Sequence, residues 1–110
     1  MNIINLSSLK SQGSIAAVFQ GYKFGSNISF FAVESPKGKG AEKHRHPYEE
    51  TFIILEGQIE VIVNGENKII DEGNIVIIPS KTWHEFKTIS EKPAKMINIH
   101  PVPKMSQEWG

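Results

Sequence analysis

The side chains in this chain best suited to chemistry are the imidazoles of His44, His46, His84 and His100 and the acidic groups that follow the first pair. His44 and His46 stand two apart. In a strand, residues at i and i+2 leave the same face, so both rings can approach one point. Glu50 keeps that parity, but Pro47-Tyr48 bends the chain in between, so parity alone does not place its carboxylate. His84 lies in the strand-like run TWHEF and shares a face there with Thr82 and Phe86. Three imidazoles and a carboxylate make a mixed nitrogen and oxygen set, suited to Fe, Mn, Ni, Cu or Zn and unsuited to a soft thiolate centre. A His-x-His pair by itself is a weak signal, because a histidine in a strand more often lies on the surface or is satisfied in the core.

The elements that position these groups are short. From Ile15 onward the chain reads as β-rich runs separated by turn residues: IAAVFQ, ISFFAVES, the histidine segment, TFIILEGQIEVIVNG, ENKIID, NIVIIPS, TWHEFKTI and AKMINIH. That punctuation predicts a nearly all-β sandwich or barrel. Asn64-Gly65 between IEVIV and ENKII marks a two-residue type I′ hairpin, which needs positive φ at both positions. Asp71-Glu72-Gly73 turns the chain into the next strand. Residues 1–14 are polar apart from Ile3, Ile4, Leu6 and Leu9, and form either an edge strand or a segment lying across the wall. Only the last residues leave room for a helix. The runs Phe52-Ile53-Ile54-Leu55 and Ile75-Val76-Ile77-Ile78 do not alternate, which predicts strands buried on both faces. A second copy of the chain is the simplest cover for the outer face, so a homodimer is expected, with the N-terminal segment as the alternative cover.

Composition bounds the function. The 110 residues suffice for one core, so the expectation is a single domain over 1–110. Twelve basic and twelve acidic residues cancel, leaving no electrostatic footprint for nucleic acid or an anionic membrane. With no cysteine, disulfides, thiolate ligands and a cysteine nucleophile are excluded. The start MNIINLSSLK lacks the features of a signal peptide, and no apolar run approaches the ~20 residues a membrane helix needs. A soluble, cytoplasmic protein is expected.

The spacing of the candidate ligands is more telling than their types. Gly38, five residues, His44, one residue, His46, three residues, Glu50, six residues and Gly57 resembles the first motif of the cupin family at every position. Gly73, five residues, Pro79 and then His84 resembles the second motif. Lys81 stands where the family has a glycine able to take positive φ, and Thr88 stands where it has asparagine. The two motifs span residues 38–57 and 73–88.

This resemblance implies a double-stranded β-helix, a jelly-roll-like barrel, with one divalent ion (Fe, Mn, Ni or Zn) held inside its open end by His44, His46, Glu50 and His84. Glu50 rather than Glu49 is carried over as the ligand, because only Glu50 stands seven residues before Gly57. Four protein ligands on an octahedral ion leave two positions for water, a chelating substrate, or substrate with dioxygen. Phe52, Ile54, Phe86, Phe30 and Phe31 are the expected lining of a small apolar pocket. Three functions follow: a metal-dependent dioxygenase acting on a small oxygen-chelating molecule, a metal-dependent isomerase or lyase, and a non-catalytic binder of a small ligand. The second needs a base. His100, Tyr48 and Glu49 are the candidates, with His100 at a strand end before Pro101, and Tyr48 and Glu49 expected to face outward. The lack of a convincing base favours the dioxygenase.

Overall fold

The computed structural model describes residues 1–110 and is almost entirely β. Its strands are β1 (Ala16–Gln20), β2 (Ser29–Ser35), β3 (Gly40–Arg45), β4 (Glu50–Glu56), β5 (Gln58–Val63), β6 (Glu66–Asp71), β7 (Ile75–Ile78), β8 (His84–Thr88), β9 (Ala94–His100) and β10 (Glu108–Trp109). They form two facing antiparallel sheets of five strands, ordered β1-β2-β9-β4-β7 and β10-β3-β8-β5-β6. The expected double-stranded β-helix is therefore present as a pair of sheets rather than a closed ring of hydrogen bonds.

Alternation along the strands fills the space between the sheets. Phe52 and Ile54 of β4 and Met96 of β9 meet Ile59 and Val61 of β5 and Phe86 of β8, all buried in one cluster. Each such side chain contributes about 1.5–3 kcal/mol relative to exposure. The turns follow their residues. Asn64 and Gly65 have φ of 50° and 81°, the geometry of a type I′ turn, and join β5 to β6 where Val63 pairs with Glu66. Gly57 is constrained twice: its φ is +81°, and a Cβ there would lie 2.9 Å from the Ala94 Cα.

Lys81 adopts the positive φ that glycine would take, at 59°. Its N–H donates to the carbonyl of His46 at 2.7 Å, and its side chain is exposed, so one backbone bond tied to the histidine segment holds a conformation costing about 1–2 kcal/mol. The substitution leaves the turn before His84 intact.

The two ends of the chain join the fold differently. The N-terminal segment forms a 3-10 turn at Leu6–Leu9, capped by the Asn5 side chain, and Lys10 bridges to Ala17, which is buried although it points outward. The C-terminal residues form a strand, not a helix: β10 pairs with β3, Glu108 opposite Arg45 and Trp109 opposite His44. The expectation that β4 and β7 bury both faces holds only on the inner side. Leu55, Ile75 and Ile77 are each more than half exposed in the single chain, because the N-terminal segment covers the β1 side of that sheet and does not reach β7. No helix is long and apolar enough to cross a membrane.

Candidate metal centre

The four candidate ligands arrive from both sheets at one end of the fold. His44 of β3 pairs directly with His84, the first residue of β8, after a bulge between Ala41 and His44 shifts the register. His46 follows the end of β3, and Glu50 opens β4 in the opposite sheet. One ligand atom from each of His44, His46, Glu50 and His84 lies within 4.8 Å of all the others, and every one of these residues is at most 6% exposed. Glu49, the neighbouring carboxylate, is exposed.

Backbone carbonyls set the tautomers. Nδ1 of His44 lies 2.7 Å from the Glu42 carbonyl, Nδ1 of His46 2.7 Å from the Ser106 carbonyl, and Nδ1 of His84 2.8 Å from the Thr82 carbonyl. A carbonyl only accepts, so each Nδ1 carries hydrogen and each neutral ring turns the Nε2 lone pair inward. Those lone pairs face a carboxylate: Glu50 Oε1 is 3.0 Å from His84 Nε2 and 3.2 Å from His46 Nε2. Acceptors packed this closely repel unless positive charge lies between them. His46 Nε2 is buried without a hydrogen-bond partner. Bonds of ~2.1 Å at right angles around an ion would separate neighbouring ligand atoms by ~3.0 Å, close to these spacings. The donor set therefore fits a divalent ion, which nitrogen and oxygen ligands of this kind bind.

Proton affinities follow from the same crowding. Burial opposes charge on His44, and despite the Glu42 carbonyl its pKa falls below the ordinary 6.5. Burial also opposes charge on His46, but Glu50 and the Ser106 carbonyl outweigh it and raise its pKa above 6.5. Glu50 is buried, yet its contacts with His100, His46 and His84 hold it far below the usual carboxylate range. Tyr48 is pushed up to about 12, chiefly by burial.

Two residues expected at the margin are part of the centre. His100 is fully buried at the last position of β9, as the following proline suggested. Thr51 pairs with Ile99, so Glu50 and His100 fall opposite each other. His100 Nε2 stands 2.9 Å from Glu50 Oε2, though not aligned for a good hydrogen bond. Tyr48 does not face outward: its hydroxyl lies 2.6 Å from His100 Nδ1, and its ring stacks on His46 at 5.1 Å.

Beside the centre lies a cavity of about 400 Å³, within the range of small-ligand sites. His44 and Glu50 form its metal-side wall, and the apolar part of the rest includes Phe31, Phe52, Phe86 and Trp109. Two expected lining residues are elsewhere. Phe30 points to the outer face and stacks on Phe19 at 4.8 Å, and Ile54 is plain core. Three further residues contribute: Asn98, buried on β9; Ser106, whose carbonyl orients His46; and Trp109, whose ring lies 5.4 Å from that of His44.

Comparison with known proteins gives this end of the fold a lineage. A model described as "Cupin domain" matches residues 31–100. The polyketide synthase CurC of Streptomyces cyaneus is 32% identical over 72 residues, which cover 63% of this chain and 47% of that protein. The quercetin 2,3-dioxygenase of Bacillus subtilis is 33% identical over 67 residues, covering 60% of this chain and 20% of the enzyme. The match thus takes in less than half the length of either curated relative. Among solved structures, an oxalate decarboxylase of Lactobacillus farciminis in a formate complex superposes with a TM-score of 0.82 over 94% of this chain and 34% of its own, at 22% identity, a likeness of fold.

Proposed function

The chain belongs to the cupin family, and from that premise we propose that it holds one divalent metal ion through His44, His46, Glu50 and His84 and acts as a metal-dependent dioxygenase on a small organic molecule that chelates the ion through oxygen. The observation that carries this reading is the convergence of inward Nε2 lone pairs on Glu50 Oε1 beside a cavity lined mainly by apolar side chains. Fe, Mn, Ni and Zn all accept this ligand set. When bound, the ion supplies Lewis acidity and, if redox-active, electron exchange with dioxygen. The chain's own residues do the rest. The carbonyls of Glu42, Ser106 and Thr82 hold the imidazoles in the ligating tautomer, and Phe31, Phe52 and Phe86 exclude water from the apolar part of a substrate. Similarity to a quercetin dioxygenase supports the reaction class. The test is oxygen uptake by iron-loaded protein against a panel of small diketones, enediols and thiols. Uptake with any of them supports the dioxygenase, and none at full iron loading removes it.

A second reading gains from the structure. An isomerase or lyase needs a group to move a proton, and His100 with Tyr48 now stands beside Glu50. Zinc-loaded protein in heavy water would then exchange deuterium into an enediol or diketone, and His100→Gln would slow the exchange.

The exposed Leu55, Ile75 and Ile77 support the homodimer. They lie on β4 and on the edge strand β7, where a second copy would cover them.

A further inference from the structure

The segment 105–110 lies against the candidate centre but is lightly attached to the fold. Its strand, β10, has two residues, and residues 106–110 are all exposed. The strands that carry the ligands are paired inside the two sheets, whereas this strap is tied down at a few points. The Ser106 N–H donates to the Tyr48 hydroxyl at 3.3 Å, and the Gly110 N–H donates to the Lys43 carbonyl at 3.0 Å. Nε and Nη2 of Arg45 donate to the two carboxylate oxygens of Glu108 at 3.0 and 3.1 Å. The Arg45 guanidinium also lies 4.4 Å from the centre of the Trp83 ring, so it stays on the body of the fold while its fork grips the strap. The Glu108 side chain is 62% exposed, and a pair so open to water adds little stability, which suits a contact that opens and closes.

The strap nevertheless meets two of the four ligands. The Ser106 carbonyl is 2.7 Å from His46 Nδ1, the Trp109 ring lies beside that of His44, and Gln107 and Trp109 line the cavity that His44 and Glu50 also line. The ligands themselves are at most 6% exposed, so exchange of an ion needs a wall to move, and a segment with few buried contacts opens first.

We propose that residues 105–110 are a gate over the centre, latched by Arg45 and Glu108, which lifts from β3 to pass an ion or a small ligand and closes again over the loaded site. This inference rests on the proposed metal site and adds how that site is filled. Gate and centre are coupled through His46. With its Nε2 lone pair given to an ion, the ring becomes a stronger donor from Nδ1 to the Ser106 carbonyl, so the loaded centre holds the strap more firmly than the empty one. By linkage, the closed strap holds the ion more firmly in turn.

The chain has no cysteine, so one engineered disulfide can lock the strap. A Cβ at Gly110 would lie 3.0 Å from Cγ of Lys43, the place a cysteine sulfur would take, a separation that a disulfide accepts. In the full-length double variant Lys43→Cys/Gly110→Cys, uptake and release of manganese are timed with the bond formed and again after a phosphine reductant has broken it. Manganese is chosen because the freed thiols bind it weakly. Uptake by metal-free protein is followed by tryptophan fluorescence, and release by the manganese left on the chain after timed exposure to EDTA. The locked form should be slower than the reduced form in both directions by about tenfold, and Glu108→Ala, with its latch removed, should be faster than wild type in both. Should the double variant fail to fold, hydrogen exchange of the peptide 105–110 in the wild-type protein decides, and manganese should slow it about tenfold. Slower release with unchanged uptake in the locked form would overturn the gate and leave the strap as a positioning element. Equal rates in the two redox states, or hydrogen exchange indifferent to manganese, would overturn it as well, and wild-type rates in Glu108→Ala would overturn the latch. A wild-type protein that holds no manganese would bring down the metal site and this inference together.

Discussion

The hydroxyl of Tyr48 lies 2.6 Å from Nδ1 of His100, and the other nitrogen of that ring lies 2.9 Å from Oε2 of Glu50. The Ser106 carbonyl, at 3.2 Å, is the more distant acceptor for the same hydroxyl. With Tyr48 donating to Nδ1, Nε2 carries hydrogen on the side of the carboxylate and leaves Oε1 for the ion. Tyr48→Phe removes the hydroxyl and little else. Metal affinity should fall about tenfold in Tyr48→Phe and in His100→Gln, the usual scale for groups that orient a ligand. Isothermal titration with zinc reads this, and unchanged affinity in both would show that the pair does not position Glu50.

Acidity should oppose metal binding over a window set by His46. Its pKa is raised in the metal-free protein, so its extra stability is present below 6.5 and is lost as pH rises through the folded value. The metal-bound protein needs that ring neutral. The melting-temperature gain on adding metal should therefore grow as pH rises from about 6 to about 8. His44 acts in the opposite sense: its pKa is lowered, so the unfolded chain takes a proton first and the metal-free fold weakens as pH drops below 6.5. Paired thermal melts with and without metal across this range check both signs, and a gain that shrinks with rising pH would contradict the first.

The C-terminal strap should matter to the centre. Ser106 fixes the His46 ring through its carbonyl, Arg45 makes two bonds to Glu108 at 3.0 and 3.1 Å, and Trp109 packs on His44. Ending the chain at Lys104 leaves every candidate ligand in place but frees Nδ1 of His46 to lose its partner. The shortened protein should stay folded by circular dichroism and bind metal at least tenfold more weakly. Full affinity would mean that the strap only covers the site.

Charge on the outer face should separate the subunits. Ile77 is 67% exposed on an edge strand, so Ile77→Lys removes nothing from the core of a single chain. Analytical ultracentrifugation should find the wild-type chain as a dimer and the variant as a monomer with an unchanged far-ultraviolet spectrum. A monomeric wild-type protein would contradict the homodimer.

Much of the fold was legible because its signals are local. Asn64-Gly65 permits one kind of turn, and punctuation by Gly, Pro and Asp separated the strands that appear. The convergence of His44, His46, Glu50 and His84 was legible through motif spacing, since the register that brings β3 and β8 together is long-range. What escaped depended on such register. His100 looked like a strand end, and it is one, but pairing with Ser29 and the adjacency of β4 aim its ring at Glu50. Tyr48 was read outward because nothing local gives the sense of the bend after Pro47. β10 is too short, at two residues, to carry a periodic pattern. Asn98 sits in an apolar strand run where its inward direction appears only once β2 and β4 flank it. The non-alternating run Ile75–Ile78 overstated burial, since an apolar outer face reads the same whether a subunit covers it or not.

The central claim is tested most directly by elemental analysis of protein purified without affinity tag or chelator, repeated for His84→Ala and Glu49→Ala after equilibration with limiting metal. The account predicts about one Fe, Mn, Ni or Zn per chain in the wild-type protein and in Glu49→Ala, and a steep loss in His84→Ala. Equal losses in both variants would mean that the carboxylate is misassigned, and no metal in the wild-type protein even after reconstitution would contradict the centre altogether.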